Sequence, residues 1–176
     1  MEEIKLITPS VEYGEEIMKL RQEIIDANDE DSFAGCGSLR DYTNIEDYLS
    51  VLSKWQSADT CPPGSVPSNT YIAVRTTDNR VVGIIDLRHH IDHPILGLWG
   101  GHMGYTVRPS ERGKGYAKEI LKLNLQICRD RNLTKVMVTC SRNNKASEKI
   151  IIANGGVFEK EVHVDGEYIK RYWITL

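Results

Sequence analysis

The spacing of hydrophobic and polar positions changes several times along this chain, and each change predicts a different element. Ile4 to Thr8 alternates weakly, which predicts a short strand stopped by Pro9. Ser10 stands where a helix N-cap is wanted, and Tyr13, Ile17, Leu20, Ile24 and Ile25 follow as an apolar stripe. From Asn28 to Arg40 the chain is acidic and then glycine-rich, the composition of a loop. A second helix is predicted over Ile45 to Trp55, with Tyr48, Leu49, Leu52 and Trp55 on one side. The prolines of Cys61-Pro62-Pro63-Gly64 and Pro67 then keep the chain irregular.

Beyond them the period falls to two. Thr70 to Thr76 and Val81 to Leu87 predict a hairpin turning at Asp78-Asn79, and Gly100 to Val107 predicts another strand closed by Pro109. Gly115 to Arg131 is the clearest helix, with Ala117, Leu121, Leu125 and Cys128 on one face. Lys135 to Cys140 predicts a strand and Asn144 to Ala153 a helix, which ends at the left-handed cap signal Asn154-Gly155-Gly156. Val157 to Val164 and Glu167 to Leu176 predict strands joined at Asp165-Gly166. Strand, two helices, three strands, helix, strand, helix and two strands make a mixed α/β domain with one covered sheet.

Composition narrows the function classes. With 176 residues, 40% of them hydrophobic and 27% charged, the chain suits one soluble domain. A net charge of −3 gives no general attraction to nucleic acid or to a membrane surface, and neither partner is expected. No stretch has the apolar length of a bilayer span, and the acidic start Met1-Glu2-Glu3 does not resemble a signal peptide. A cytoplasmic location is therefore expected, with Cys36, Cys61, Cys128 and Cys140 as reduced thiols. His89, His90, Asp92 and His93 lack a strong metal-ligand spacing and are read as bordering a cleft, so no metal is expected.

Candidate chemistry concentrates between the strand ending in Val107-Arg108-Pro109 and the helix opening at Gly115-Tyr116-Ala117. A helix N-terminus presents unpartnered N–H groups and partial positive charge to an anion. Gly113 and Gly115 lack the Cβ atoms that would hold a phosphate away, while Arg112 and Lys114 add charge beside it. A P-loop is excluded, because no Gly-Lys-Ser/Thr follows the turn. A dinucleotide fingerprint is excluded too, since Lys118 stands where its third glycine or alanine belongs.

Val107-Arg108-Pro109-Ser110-Glu111-Arg112-Gly113-Lys114-Gly115-Tyr116-Ala117 resembles the central coenzyme-binding motif of the GNAT superfamily of N-acetyltransferases. Asn144-Lys145-Ala146-Ser147 and Asn154-Gly155-Gly156-Val157-Phe158 resemble that family's next strand–helix motif. Val66 to Tyr71 and Gly101 to Tyr105 are similar to a bacterial subgroup of predicted acetyltransferases. The resemblance implies an α/β (α+β) single domain with a mixed, mostly antiparallel sheet of about seven strands. That sheet would be splayed at its centre, with helices on both faces. Residues 69–176 would form the coenzyme-binding core and 1–68 the acceptor side.

The implied activity is transfer of acetyl from acetyl-CoA to a primary amine of a small molecule or peptide, by direct attack in a ternary complex. Val107 would polarise the acetyl carbonyl through its N–H. Arg112 and the segment Gly113, Lys114, Gly115, Tyr116 and Ala117 would hold the pyrophosphate, and Asn144 the pantetheine arm. An attacking ammonium must first lose its proton, directly or through one water, and His102 or Glu111 is the candidate base. The family's thiolate-protonating tyrosine aligns here with Ile151, which has no hydroxyl. Ser147, Tyr105 or water remain as the donor. A non-catalytic acyl-CoA sensor is the alternative reading, and both monomer and homodimer stay open. Asp26, Asp29, Glu30 and Asp31 would attract a cationic acceptor or merely form a solvated loop.

Overall fold

The computed structural model describes residues 2–28 and 33–176. Asp29, Glu30 and Asp31 lie outside the described residues. The elements are β1 (Ile4–Ile7), α1 (Gly14–Asp26), α2 (Ile45–Trp55), β2 (Ser68–Arg75), β3 (Val81–Arg88) and β4 (Tyr105–Val107), then α3 (Tyr116–Asp130), β5 (Lys135–Ser141), α4 (Lys145–Ala153), β6 (Val157–Val164) and β7 (Glu167–Thr175). Their order is the expected one.

The strands form two antiparallel sheets, β1-β2-β3-β4 and β5-β7-β6. They meet just upstream of β4, where the His102 N–H donates to the Met137 carbonyl at 2.8 Å. The Met137 N–H returns a bond to His102 Nδ1 at 2.9 Å. Beyond that junction no ladder joins β4 to β5 among the described residues. The sheet is therefore split at its centre, as expected.

Two cores cover the sheet from opposite faces. Ile17, Leu20 and Ile24 of α1 and Tyr48 and Leu52 of α2 bury Ile72, Val74 and Ile84 of the first sheet. Ile120, Leu121 and Leu125 of α3 and Ile151 of α4 pack on the other face against Ile85, Leu87, Val136, Val138, Tyr172 and Ile174. The second core spans both sheets and bridges the split beneath its open end. The turn Asp165-Gly166 has φ of 48° and 87°, the double left-handed geometry of a tight hairpin.

Three expectations are corrected. Ser10 makes no side-chain cap bond, because a 3-10 turn over Val11–Tyr13 precedes α1, and Ile25 falls off the stripe at 39% exposure. The strand expected from Gly100 is confined to Tyr105–Val107, and Leu96–Gly100 forms a π-helical turn instead. Long-range bonds hold that turn. Arg171 Nη1 donates to the carbonyls of Gly97 and Leu98, and Arg88 Nη1 to those of Gly100 and Gly101. These guanidinium groups satisfy the turn's carbonyls without a strand ladder.

Candidate active site

A cleft of about 470 Å³ opens where β4 and β5 part. One wall is the turn into α3, contributing Glu111, Arg112, Gly113, Gly115, Tyr116, Ala117 and Lys118. Asn144, Ala146, Ser147 and Ile150 of α4 and its cap form the other wall, and Tyr105, Thr106 and Val107 the floor. Most of the candidate coenzyme residues are thus brought together in one place.

Backbone geometry explains why this floor is polar. The Arg108 N–H bonds Val82 O at 2.9 Å, and the Asp86 N–H bonds Gly104 O at 3.1 Å. Alternate residues of β4 thus face β3, so the polar groups of Tyr105 and Val107 point away from it, into the split. Arg112 Nε reaches the Val107 carbonyl at 3.3 Å, leaving the Val107 N–H directed at the cleft from the strand's open edge. On the facing wall, Gly115 caps α3 at φ 91°, a left-handed conformation that costs glycine little. Asn144 caps α4 by accepting the Ser147 N–H at 3.0 Å.

The turn is held from below by buried charge. The Glu111 side chain is 5% exposed and meets Arg75 at 3.1 Å, Arg80 at 3.1 Å and Lys114 at 2.9 Å. Burial alone would raise its pKa, but the Lys114 bond and the charges of Arg75 and Arg80 hold it below the usual carboxylate range. Glu111 offsets these three cations rather than Arg112. Arg108, also buried, pairs with Glu16 and Glu23 of α1 at 2.7 Å each. Lys114 turns its ammonium to Glu111 and does not line the cleft; Lys118, one helical turn on, does.

Tyr105 and Ser147 meet across the split, hydroxyl to hydroxyl, at 2.8 Å. Burial raises the phenol pKa to about 12 against the Ser147 bond, so it carries its proton throughout the neutral range. Ile151 is fully buried in the core, and Ile150 is the residue that reaches the cleft; neither offers a hydroxyl.

His102 is placed differently from a cleft base. It is 6% exposed and does not line this cleft. Its Nδ1 accepts the Met137 N–H, and its ring meets Trp173 edge-on at 6.3 Å between centroids. Burial lowers its pKa to about 4.

A second cavity of about 380 Å³ lies on the α1–α2 face of the first sheet. Val51, Leu52 and Trp55 of α2, with Val66, Ile95 and Leu96, give it apolar walls. His93 of the histidine cluster lines it, while His89 Nε2 lies 2.7 Å from Asn69 Oδ1 and within 3.1 Å of Arg131. The sequence reading did not single out Asp86 or Arg88, which form its charged floor at 3.1 Å from each other. Burial raises the Asp86 pKa, opposed by Arg88 and by the Gly104 N–H, which donates to Oδ1 at 2.6 Å. The available signal was a single carboxylate in the otherwise uncharged run Val81 to Leu87.

The acetyltransferase (GNAT) domain model matches residues 25–157, about three quarters of the chain. Mycobacterium smegmatis RimJ, solved with CoA-disulfide, is 19% identical with a TM-score of 0.69 over 98% of this chain and 81% of that one. The microcin self-immunity acetyltransferase MccE, solved with acetyl-CoA and AMP, is 19% identical with a TM-score of 0.66, covering 100% and 94%. A Vibrio cholerae spermidine N-acetyltransferase chimera is 15% identical with a TM-score of 0.64, covering 98% and 95%. No curated protein matches the chain in sequence. Among the described residues no helix is long and apolar enough to cross a membrane.

Proposed function

The chain belongs to the acetyltransferase (GNAT) family, and on that premise we propose that it transfers acetyl from acetyl-CoA to an amine in a ternary complex. One observation carries the reading: a cleft at the split sheet in which a glycine-capped helix start faces Asn144 and the Tyr105–Ser147 hydroxyl pair. Two structural neighbours were solved with acetyl-CoA or a CoA disulfide, which supports the choice of coenzyme.

In this proposal the amides from Gly113 to Ala117, with Arg112 and Lys118, hold the pyrophosphate. Lys114 contributes through its backbone, its ammonium serving Glu111. Asn144 meets the pantetheine arm. The amine nitrogen attacks the acetyl carbonyl, whose oxygen gathers charge beside the Val107 N–H. The C–S bond breaks, the sulfur takes the Tyr105 proton, and Ser147 relays a replacement from solvent. The amine's own proton leaves through water. His102 is assigned to joining the two sheets and Glu111 to bracing the turn, since neither presents a free basic atom to the attacking amine. Residues 69–176 form the coenzyme-binding core in this scheme, and 1–68 supply the helices and loops of the acceptor side, closed over β3. The sensor alternative rested on the missing tyrosine at Ile151, and the Tyr105 hydroxyl supplies the proton that residue lacks.

Calorimetry with acetyl-CoA and CoA, followed by a thiol-release assay over an amine panel, tests the proposal. Coenzyme binding with turnover is the expected result. Absence of binding at millimolar ligand overturns the coenzyme assignment, and binding without any turnover supports the sensor instead.

A further inference from the structure

We propose that the second cavity is the acceptor pocket, that Asp86 anchors a cationic group there, and that the acceptor is a diamine with an apolar spacer; this rests on the acetyltransferase reading above. The cavity is at the small end of ligand pockets, sized for one compact molecule rather than a peptide chain. Its walls at Val51, Leu52, Trp55 and Leu96 favour methylene or ring surface over polar surface.

Asp86 is the one carboxylate lining it among the described residues. A carboxylate offers about four lone-pair sites; the Gly104 N–H takes one on Oδ1 and Arg88 one on Oδ2. Acceptor capacity therefore remains for an ammonium. Arg88 is held in the floor by its Nη1 bonds to the carbonyls of Gly100 and Gly101, with Nη2 toward Oδ2, so Oδ1 is the side open to a further donor.

Distance separates the anchor from the attacking nitrogen. Asp86 lies opposite Gly104, three residues before Val107 on β4, or roughly 10 Å along the strand. An ammonium resting on Asp86 is thus not the nitrogen that attacks at Val107. Asp86 already shares Oδ2 with Arg88, so the floor holds one further ammonium at most, and a spacer of methylenes suits this cavity better than a polyamine with an additional charge in the middle.

Binding and turnover are compared for 1,8-diaminooctane, octylamine, 8-amino-1-octanol and spermidine. Trp55 lies in the cavity wall, and its fluorescence reports binding without coenzyme, with Trp55→Phe as the control. The diamine is expected to bind at least about tenfold more tightly than octylamine or the amino alcohol, the worth of one charged hydrogen bond. It should also exceed both, and spermidine, in kcat/KM. Asp86→Asn keeps an oxygen for the Gly104 N–H and should erase the diamine preference while CoA affinity holds; the melting temperature should fall, because Arg88 loses its partner. Val51→Trp, a fill from the half-buried side of α2, should raise the diamine KM at least about tenfold. Equal binding of the monoamine, a preference surviving in Asp86→Asn, or better turnover of spermidine or a peptide amine overturns the proposal. Failure of CoA to bind in calorimetry overturns the acetyltransferase reading separately, because the fluorescence titration needs no coenzyme.

Discussion

Replacing Tyr105 with Phe removes one oxygen and leaves the ring in place, which makes it the most direct probe of proton delivery. The lost bond is the 2.8 Å contact with Ser147, a neutral pair worth about 1 kcal/mol net. In a chain of this size that lowers the melting temperature by about 3 °C. Catalysis should suffer far more. A positioned general acid contributes about 10²- to 10⁴-fold, so kcat is expected to fall at least about a hundredfold. The acetyl-CoA KM should change by less than about threefold, because removing a group used only in the transition state leaves ground-state binding alone. Because burial lifts the Tyr105 pKa to about 12, its proton is present across the neutral range, and the loss should be uniform between pH 6 and about 9. Steady-state kinetics over that range, with calorimetric CoA binding as a control, make the check. A Tyr105→Phe enzyme that keeps its kcat would show that water protonates the thiolate.

Three further outcomes follow from buried groups. Glu111→Gln leaves Arg75, Arg80 and Lys114 facing a neutral amide and should cost about 3 kcal/mol at pH 7. Glu111's folded pKa is depressed, so its contribution is present above the unfolded value and lost as pH falls through the folded one. Melts of the two proteins should therefore converge in acid, and a gap that persists unchanged refutes the ion-pair account. For His102 the folded pKa is again depressed, to about 4, so its contribution is full above the unfolded value near 6.5 and is lost as pH falls toward 4. A His102→Gln protein should lack that acid-side loss yet keep the shape of the kcat/KM pH profile; a vanished limb near neutrality would restore His102 as the base. Gly35→Ala would place a Cβ 2.0 Å from the Gly104 carbonyl oxygen at a φ of 73°, so thermal denaturation should show a loss above about 3 kcal/mol.

Local patterning carried the elements well wherever neighbours in sequence decide the outcome. The α2 stripe was legible over its full span from Ile45 to Trp55, and the Asn154-Gly155 cap followed from glycine's conformational freedom alone. The stretch before β4 was illegible because its shape is imposed from afar, by guanidinium groups of β3 and β7. Similar reasoning applies within the site. The turn at Gly113 to Ala117 could be read because a phosphate cradle needs small residues and a helix start in fixed order. Which lysine faces the cleft could not, because Lys114 and Lys118 are distinguished by Glu111, itself fixed by cations from β2 and from the start of β3's approach. The meeting of Tyr105 with Ser147 spans 42 positions and the split between two sheets, and no spacing rule expresses it.

Gly35 and Gly104 touch backbone to backbone: a Cβ on either would fall within 2.7 Å of the other's main chain. A side chain at either site therefore meets the other's main chain. A descendant that gained a side chain at either place would have to lift the Phe33–Gly37 segment away from β4, and Gly37 with it, off the rim of the second cavity. The two missing methyl groups act as a latch on pocket size, set at a contact remote from the coenzyme cleft.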